Sequence, residues 1–321
     1  MTFLFCRAIA LGDNVVALKA MFMLKAMYPK STLIVATNAL GENLYRHLPF
    51  IDSIITDLSQ NRHKIDYLII THRTKANITL AKQTNARKII TKAHLHTLFS
   101  PRFINDFQFS TKKFYESWNL LRLLRLIDKN HFERTLQTID FSEAKLRCVA
   151  ENEKFVDDFL ESNKLKIANG GGQQQDSKLI GINFFGSGGV KYLSLPAWRR
   201  IIMQLADNFK HYRFIVLCPP NQAIEEFGCE NIAIFVNNSD LLNLVAMTKR
   251  LNLLISVDTG NVHIADNLQI PTLGLYTQEM FRRWRGGSYG GIFKGLIIKD
   301  SEADTEAELL TMALDLCEEV S

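Results

Sequence analysis

The residues best suited to chemistry in this chain follow apolar runs that end in glycine-containing turns. One such turn is Asp258-Thr259-Gly260, and His263 follows it three residues later. A hydroxyl group and the free N–H groups of a helix start are donors for a phosphate ester. We therefore predict a phosphate site at this turn, with His263 donating from one turn into the helix. The residues alone leave an alternative, in which Asp258 caps the helix and the histidine is buried and hydrogen-bonded.

A second glycine turn, Ser187-Gly188-Gly189, is followed closely by Lys191. Glycines let backbone N–H groups approach a phosphate, Ser187 adds a hydroxyl donor and Lys191 adds a point charge. The spacing matches neither the GxxxxGK[ST] loop nor the GxGxxG fingerprint. The turn is therefore either a diphosphate site or a plain connection between elements.

A third candidate is Asp13, which follows the first apolar run and the flexible residue Gly12. The start of a helix favours the charged form of a carboxyl group, so Asp13 is expected to be ionised and able to accept a proton. We predict a general base, with helix capping as the structural alternative.

The elements that must position these residues alternate between strand-like and helix-like segments in both halves of the chain. This alternation predicts α/β domains with parallel sheets. The Gly/Gln-rich segment 168–177 predicts a linker between an N-terminal domain, 1–167, and a C-terminal domain, 178–321. The final helix of the C-terminal domain is a candidate for packing back on the N-terminal domain. Ligands of such sheets bind beyond the carboxyl ends of the strands, so a cleft between the domains is expected.

Charge is distributed unevenly along the chain. Residues 1–150 hold 22 Lys+Arg against 11 Asp+Glu, whereas the whole chain has a net charge of only +5. The basic half predicts an anionic partner: a phosphorylated or acidic-sugar substrate, a membrane surface or nucleic acid. A solvated basic surface is the alternative.

Several other functions are disfavoured by the sequence. No apolar run is long enough to span a membrane, and the five scattered cysteines indicate reduced thiols rather than disulfides or a zinc site. There is no DxD triplet or metal-ligand cluster, so no metal cofactor is predicted. The aromatic and basic segment 281–291 matches no RNA-binding module, and we predict a substrate-facing loop whose glycines let it move.

Three segments together resemble glycosyltransferase family 9, the lipopolysaccharide heptosyltransferases. They are RAIALGDNVVALKAMFMLKAMYPKSTLIVAT near the start, GSGGVKYLSLPAWRRI in the middle and SVDTGNVHIADNLQIPTLGLY near the end. Their order and spacing follow the family over nearly the whole chain.

The resemblance implies a GT-B architecture of two Rossmann-like domains facing a central cleft. It also implies inverting, metal-independent transfer of a heptose from an ADP-heptose-type donor to the lipopolysaccharide inner core. Asp13 would then be the catalytic base, and the donor would be bound by Ser187, Lys191, Asp258, Thr259, Gly260 and His263. Kdo and phosphate groups of the acceptor would match the basic half. Candidates for that contact are Arg73, Lys75, Lys112, Lys113 and Arg122.

Two segments depart from the family pattern. In the first, Gln222 lies nearest the position at which the family often has an acidic residue that contacts the nucleoside, and Glu225 lies a little beyond it. In the second, LYTQEM stands where the family usually has Gly-Pro-Thr after its final strand. A different nucleotide sugar is therefore the alternative within enzymes, and a non-catalytic nucleotide-sugar-binding protein is the alternative outside them. We expect a cytoplasmic protein, with peripheral contact to the inner membrane and no nucleic-acid partner.

Overall fold

A computed structural model describes residues 1–58, 61, 63–72, 74–107, 115–163, 165 and 178–320. The chain divides into two compact units, Met1–Leu146 and Arg147–Ser321. Among the described residues, no helix is long and apolar enough to cross a membrane.

The first unit alternates strands and helices. Its strands are β1 (Thr2–Cys6), β2 (Thr32–Ala36), β3 (Ser53–Ile55), β4 (Tyr67–Ile70), β5 (Lys88–Lys92) and β6 (Phe103–Asp106). Its helices are α1 (Leu11–Val16), α2 (Leu18–Met27), α3 (Ala39–Tyr45), α4 (Lys75–Gln83), α5 (Glu116–Arg125) and α6 (Lys129–Thr138).

The described strands of this unit form a parallel sheet in the order β3-β2-β1-β4-β5-β6. The central strands are apolar runs, and Leu4, Ile34, Leu68 and Ile89 lie in one buried core cluster. Strands covered on both faces need such runs. The order reverses between β1 and β4, and ligands of open α/β sheets bind beyond the carboxyl ends of the strands at such a reversal.

The second unit repeats the pattern. Its strands are β7 (Leu179–Asn183), β8 (Phe185–Gly186), β9 (Gly189–Val190), β10 (Arg213–Cys218), β11 (Ile232–Val236), β12 (Leu253–Val257), β13 (Thr272–Tyr276) and β14 (Phe293–Ile297). Its helices are α7 (Ala150–Ser162), α8 (Leu195–Asn208), α9 (Leu241–Arg250), α10 (Gly260–Leu268), α11 (Gln278–Trp284) and α12 (Glu302–Glu319).

Its described strands form a second parallel sheet, in the order β11-β10-β7-β12-β13-β14, and β8 and β9 form a separate antiparallel hairpin. Helix α8 covers this sheet with Trp198, Ile201, Ile202 and Leu205, all of which are buried in one core cluster. Ser194 caps the helix as its type predicts, accepting from the N–H of Ala197 at 3.4 Å. Here the order reverses between β7 and β12.

The division between the units falls before α7, earlier in the chain than the predicted linker 168–177, which lies outside the described residues. Helix α7 joins the second unit because its polar face is paired there. Glu153 forms ion pairs with Lys249 at 2.7 Å and Arg250 at 2.8 Å, and Asn152 donates to Asn243 at 2.8 Å. The predicted boundary at 167 therefore differs from the observed one.

The last helix, α12, packs on α8 of its own unit. Arg200 forms two hydrogen bonds to the Glu306 carboxylate at 2.6 and 2.7 Å, and Tyr212 donates to the carbonyl of Cys317 at 3.2 Å. These contacts hold the acidic helix to the second unit, whereas the sequence made it a candidate for packing on the N-terminal domain.

Candidate functional site

Asp13 lies in the first turn of α1, beyond the carboxyl end of β1, and is bound by Arg7. The Arg7 Nη2 donates to Oδ1 of Asp13 at 2.7 Å, and its Nε donates to the Asp13 carbonyl at 3.1 Å. Arg7 is 1% exposed and Asp13 is 18% exposed. The arrangement gives Asp13 an opposite charge at contact distance while part of the carboxylate faces solvent, as a base requires.

A second carboxylate lies on the other side of Arg7. Oε1 of Glu116, the first residue of α5, is 3.7 Å from Nη1 of Arg7, and Glu116 is 3% exposed. Asn119 supports Glu116 by donating to Oε2 at 3.3 Å. Arg7 is thus shared between one buried and one partly exposed carboxylate. Glu116 lies more than a hundred positions from Arg7 in the chain, and the sequence did not predict this contact.

The turn that carries Asp13 is held in place from α3. Asn38 donates to the carbonyl of Ile9 at 2.7 Å, and the Tyr45 hydroxyl donates to the carbonyl of Asn14 at 2.8 Å. Both donors fix backbone on either side of Asp13. The carboxylate is therefore preorganised by backbone anchoring as well as by Arg7.

The structure gives different surroundings to the predicted acceptor residues. Lys75 is exposed at the start of α4, which follows β4, the neighbour of β1 at the reversal of strand order. Arg122 pairs with Asp106 at 3.2 Å, so its charge is already partly matched. Arg73, Lys112 and Lys113 lie outside the described residues.

In the second unit, Asn183 joins the two strands at the reversal. It is the last residue of β7, and its amide donates at 3.0 Å to both Ser256 Oγ and Thr259 Oγ1. Thr259 also donates to the Val257 carbonyl at 3.3 Å. These bonds fix the turn between β12 and α10. The signal available in the sequence was an asparagine that ends the apolar run LIGIN.

Thr259, and not Asp258, is the N-cap residue of α10, and its backbone is extended with φ −151°. The alternative in which Asp258 caps this helix is therefore wrong. Gly260 begins the helix, and the first N–H groups of a helix have no acceptor within it. These donors, together with the positive end of the helix dipole, suit a phosphate group.

Asp258 instead positions Lys191. Lys191 Nζ donates to the Asp258 carbonyl at 2.8 Å and lies 3.8 Å from its carboxylate. Burial raises the pKa of Asp258, and the Lys191 ammonium opposes that rise. An ionised carboxylate only accepts hydrogen bonds, so the ammonium rather than Asp258 is the group that can hold a phosphate.

His263 is buried within α10, 6% exposed, and its ring centroid lies 6.0 Å from that of Trp284. Burial lowers the pKa of His263 to about 4, and the neighbouring Asp266 carboxylate opposes the change. The imidazole is therefore neutral near pH 7. It can donate one hydrogen bond but adds no positive charge.

Ser187 lies at the exposed tip of the β8–β9 hairpin, where Gly189 has φ +108°. Lys191 follows this hairpin, and its N–H donates to the Phe184 carbonyl at 3.0 Å. The segment is therefore a hairpin and not the plain strand-to-helix turn of the alternative. The Ser187 hydroxyl lies at the tip of this hairpin, and Lys191 lies at its base.

The two candidates for the nucleoside follow β10, the strand beside β7. The Gln222 N–H closes a turn onto the Pro219 carbonyl at 3.1 Å, and Arg199 of α8 holds the Glu225 carbonyl at 3.1 Å. Both residues thus lie beyond the carboxyl end of a strand adjacent to the reversal.

Segment 281–291 is anchored where the sequence suggested a mobile loop. Residues 281–284 belong to α11, and the Asp266 carboxylate accepts from the N–H groups of Gly287 at 2.9 Å, Ser288 at 3.1 Å and Tyr289 at 3.2 Å, and from the Ser288 hydroxyl at 2.8 Å. Gly287 has φ +83°, which its lack of a Cβ permits. The glycines therefore serve a tight turn around a carboxylate.

Across the described ranges, no group of three His, Cys, Asp or Glu side chains is arranged to hold a metal ion.

Residues 156–296 match the sequence model of glycosyltransferase family 9 (heptosyltransferase). Over 296 residues the chain is 23% identical to a Haemophilus influenzae protein named "Putative glycosyltransferase", covering 86% of this chain and 83% of that protein. The family match lies within the second unit.

Solved structures with a similar fold extend the comparison to the whole chain. The family 9 glycosyl transferase from Veillonella parvula has a TM-score of 0.72 at 18% identity, with 97% of each chain covered. E. coli heptosyltransferase WaaC with ADP has a TM-score of 0.67 at 12% identity, with 100% of each chain covered. E. coli ADP-heptose lps heptosyltransferase II has a TM-score of 0.62 at 13% identity, with 98% of this chain and 99% of that chain covered.

The two parallel sheets and these matches define the chain as a glycosyltransferase with the α/β, GT-B type of fold. The resemblance to family 9, the heptosyltransferases, is confirmed.

Proposed function

We propose that this chain transfers a heptose from an ADP-heptose-type donor to the lipopolysaccharide inner core, with inversion at the anomeric carbon and without a divalent metal. The observation that carries the proposal is the cation at a helix start: Lys191 is held by Asp258 beside the first N–H groups of α10. An ammonium and free N–H groups together suit a diphosphate.

The donor diphosphate is bound in the second unit. Lys191 supplies a positive charge, Gly260 and its successors supply N–H groups, and Ser187 supplies a hydroxyl from the hairpin tip. Neutral His263 adds one hydrogen bond. As the sugar leaves, charge accumulates on the diphosphate, and these fixed donors stabilise it without rearrangement.

Asp13 acts as the base on the acceptor hydroxyl. Its carboxylate takes the proton as the acceptor oxygen attacks the anomeric carbon of the donor sugar. The new carbon–oxygen bond forms on the face opposite the diphosphate, and the bond to the diphosphate breaks with its electron pair leaving on phosphate oxygen. Inversion follows from this single displacement.

The acceptor is anionic on this proposal, since residues 1–150 carry twice as many basic as acidic side chains, 22 against 11. Of the two described candidates for contact with Kdo or phosphate groups, Lys75 is exposed and follows β4 at the reversal of the first sheet, whereas Arg122 is paired with Asp106. Such an acceptor is lipid-anchored, so we place the reaction at the cytoplasmic face of the inner membrane, with peripheral contact.

A different nucleotide sugar is the second candidate donor. The observation that favours it is Gln222 in the turn beyond β10, where the resemblance led us to expect an acidic residue. An amide can both donate and accept, so it selects among nucleosides differently from a carboxylate.

Ligand-induced stabilisation separates these donors. A ligand that binds only the folded chain at about 100 times its Kd adds about 2.7 kcal/mol to the free energy of unfolding. We expect ADP and ADP-heptose to raise the melting temperature equally in EDTA and in magnesium, and UDP and GDP to have little effect. Stabilisation by UDP alone would support the second donor. An absolute need for magnesium would contradict the metal-independent mechanism.

A further inference from the structure

Lys191 lies in a tightly bonded turn between the β8–β9 hairpin and α8. Its N–H donates to the Phe184 carbonyl at 3.0 Å, and its carbonyl accepts from the Leu193 N–H at 2.9 Å and from Nε1 of Trp198 at 3.3 Å. A Cβ added at Gly186 would come within 2.9 Å of Lys191 Cδ, so the stem of the lysine passes close to a residue without a side chain. The backbone and the stem of Lys191 are thus held in place.

The residue after Lys191 has an unfavourable backbone conformation. Tyr192 has φ +70°, and the bond from the Leu193 N–H to the Lys191 carbonyl closes a three-residue γ-turn around it. A γ-turn with positive φ at its central residue is rare and strained, because a residue with a Cβ is destabilised there. Such strain persists where the surrounding contacts hold the residue, and it is concentrated at functional sites. The contacts of Tyr192 therefore indicate what the strained turn achieves.

The ring of Tyr192 lies against the Lys191 ammonium. Nζ of Lys191 is 4.6 Å from the ring centroid, which is a cation–π distance. The same Nζ donates to the Asp258 carbonyl at 2.8 Å. An ammonium has three N–H donors, so Asp258 uses one of them and the ring restricts the directions of the others. The side chain of Lys191 is 33% exposed, which leaves those donors room to meet a ligand.

We infer that Tyr192 is a positioning residue for the diphosphate site: its ring, set by the strained turn, holds the Lys191 ammonium where the diphosphate meets it. The inference rests on the proposed function, which assigns Lys191 to the donor diphosphate. A flexible side chain must be ordered when it binds a ligand, and this ordering weakens binding. The Tyr192 ring and the Asp258 carbonyl order the ammonium before the nucleotide arrives.

Titration calorimetry with ADP separates the ring of Tyr192 from its hydroxyl. Tyr192→Ala removes the ring, and the Kd for ADP should rise about 2- to 10-fold because Lys191 must then be ordered on binding. Tyr192→Phe keeps the ring and should restore the wild-type Kd. The matched control is Gln269→Gly, which replaces a second non-glycine residue with positive φ, 61°, and should bind ADP like the wild type. An unchanged Kd for Tyr192→Ala, or an equal rise for Tyr192→Phe, would overturn the inference.

Melting temperatures test the strained turn separately from the ring. Tyr192→Ala and Tyr192→Gly both lack the ring, but alanine keeps a Cβ at positive φ. The glycine variant should therefore melt about 2–4 °C above the alanine variant, whereas at an ordinary position glycine is the less stable of the two. Both variants should share the raised Kd for ADP. A higher melting temperature for the alanine variant, or a wild-type Kd for the glycine variant, would overturn the inference.

Acetylation of the Lys191 amine tests the same contact without any nucleotide. The reagent is an N-hydroxysuccinimide ester of acetate, and mass spectrometry of peptides measures the rate at Lys191 relative to Lys294, which pairs with Glu319 on the surface. The rate at Lys191 should be about twofold or more higher in Tyr192→Ala than in the wild type, because the ring no longer holds the ammonium. Equal rates would overturn the inference. Absence of ADP binding by the wild type would contradict the proposed function, while the acetylation rates still decide whether Tyr192 positions Lys191.

Discussion

The Arg7 guanidinium donates to the Asp13 carboxylate at 2.7 Å and also lies 3.7 Å from the buried Glu116 carboxylate. Nη1 of Arg7, on the side of Glu116, makes no hydrogen bond among the described residues. Arg7 therefore keeps its short, direct contact for Asp13, while Glu116 balances its charge within the protein. On our proposal this holds Asp13 ionised and oriented for proton transfer.

Removing Arg7 should destabilise the first unit strongly. Arg7→Met leaves buried Glu116 without its cation, and an uncompensated buried charge costs about 3–5 kcal/mol. Arg125→Met is the matched control, because Arg125 and Glu133 form an ion pair whose partners are 43% and 45% exposed. Such a surface pair contributes about 0.2–1 kcal/mol. Urea unfolding measures both, and equal losses would contradict a structural role for Arg7.

Replacing Lys191 should weaken nucleotide binding. Lys191→Ala removes a charged donor worth about 1.5–3 kcal/mol, so the Kd for ADP should rise roughly 10- to 100-fold. The loss also leaves Asp258 facing the diphosphate without its counter-charge. Titration calorimetry measures the Kd, and Lys294→Ala, which breaks an exposed pair with Glu319, serves as the control. An unchanged Kd for Lys191→Ala would remove it from the diphosphate site.

The buried His263 should make stability depend on pH. Its pKa is lowered from 6.5 to about 4 on folding, so above pH 6.5 the ring is neutral in both states and contributes no dependence. Between those values only the unfolded chain takes up the proton. The free energy of unfolding should then fall by up to about 1.4 kcal/mol per pH unit as the pH decreases, and level off below the folded pKa.

His263→Gln removes this titration and should flatten the pH dependence of urea midpoints over that window. Other acidic groups contribute equally to both proteins, so the difference between the two curves reports His263. Parallel curves would show that folding leaves the pKa of His263 unchanged, which would contradict its burial as a neutral group.

Releasing Asp266 should loosen segment 281–291. Asp266→Ala leaves the N–H groups of Gly287, Ser288 and Tyr289 without their acceptor, so the turn opens more often. Trypsin should then cut after the arginines of this segment about tenfold faster or more. Asp300→Ala, at an exposed position, is the control. Unchanged cleavage would mean that the carboxylate does not restrain the turn.

Much of the fold was predictable because its strands are continuous apolar runs. The inner residues of TFLFC, all but the first residue of TLIVA and all of LLISV are buried, and each run is followed by a polar residue. The short strands β3 and β6 were not predicted, since SII and FIND are half-buried edge segments with little pattern to recognise. The helix predicted after Asp13 is divided at Ala17 into α1 and α2.

The sequence predicted site residues only where residue type and short-range spacing identify them. Lys191 and the Asp258 turn were singled out by type, but the hydrogen bond between them joins residues 67 positions apart. Asn183 and Glu116 were missed because their roles come from strand order and packing. The neutrality of His263 follows from burial, and the restraint of segment 281–291 follows from Asp266 on another helix.

The initial rate of sugar transfer by Asp13→Asn tests the central claim most directly. The substitution keeps the size of the side chain and removes its basicity. With ADP-heptose and a Kdo-containing acceptor, the rate should fall about 100-fold or more, because general base catalysis contributes roughly that factor, while the Kd for ADP stays unchanged. A wild-type rate from Asp13→Asn would contradict the assignment of Asp13 as the base.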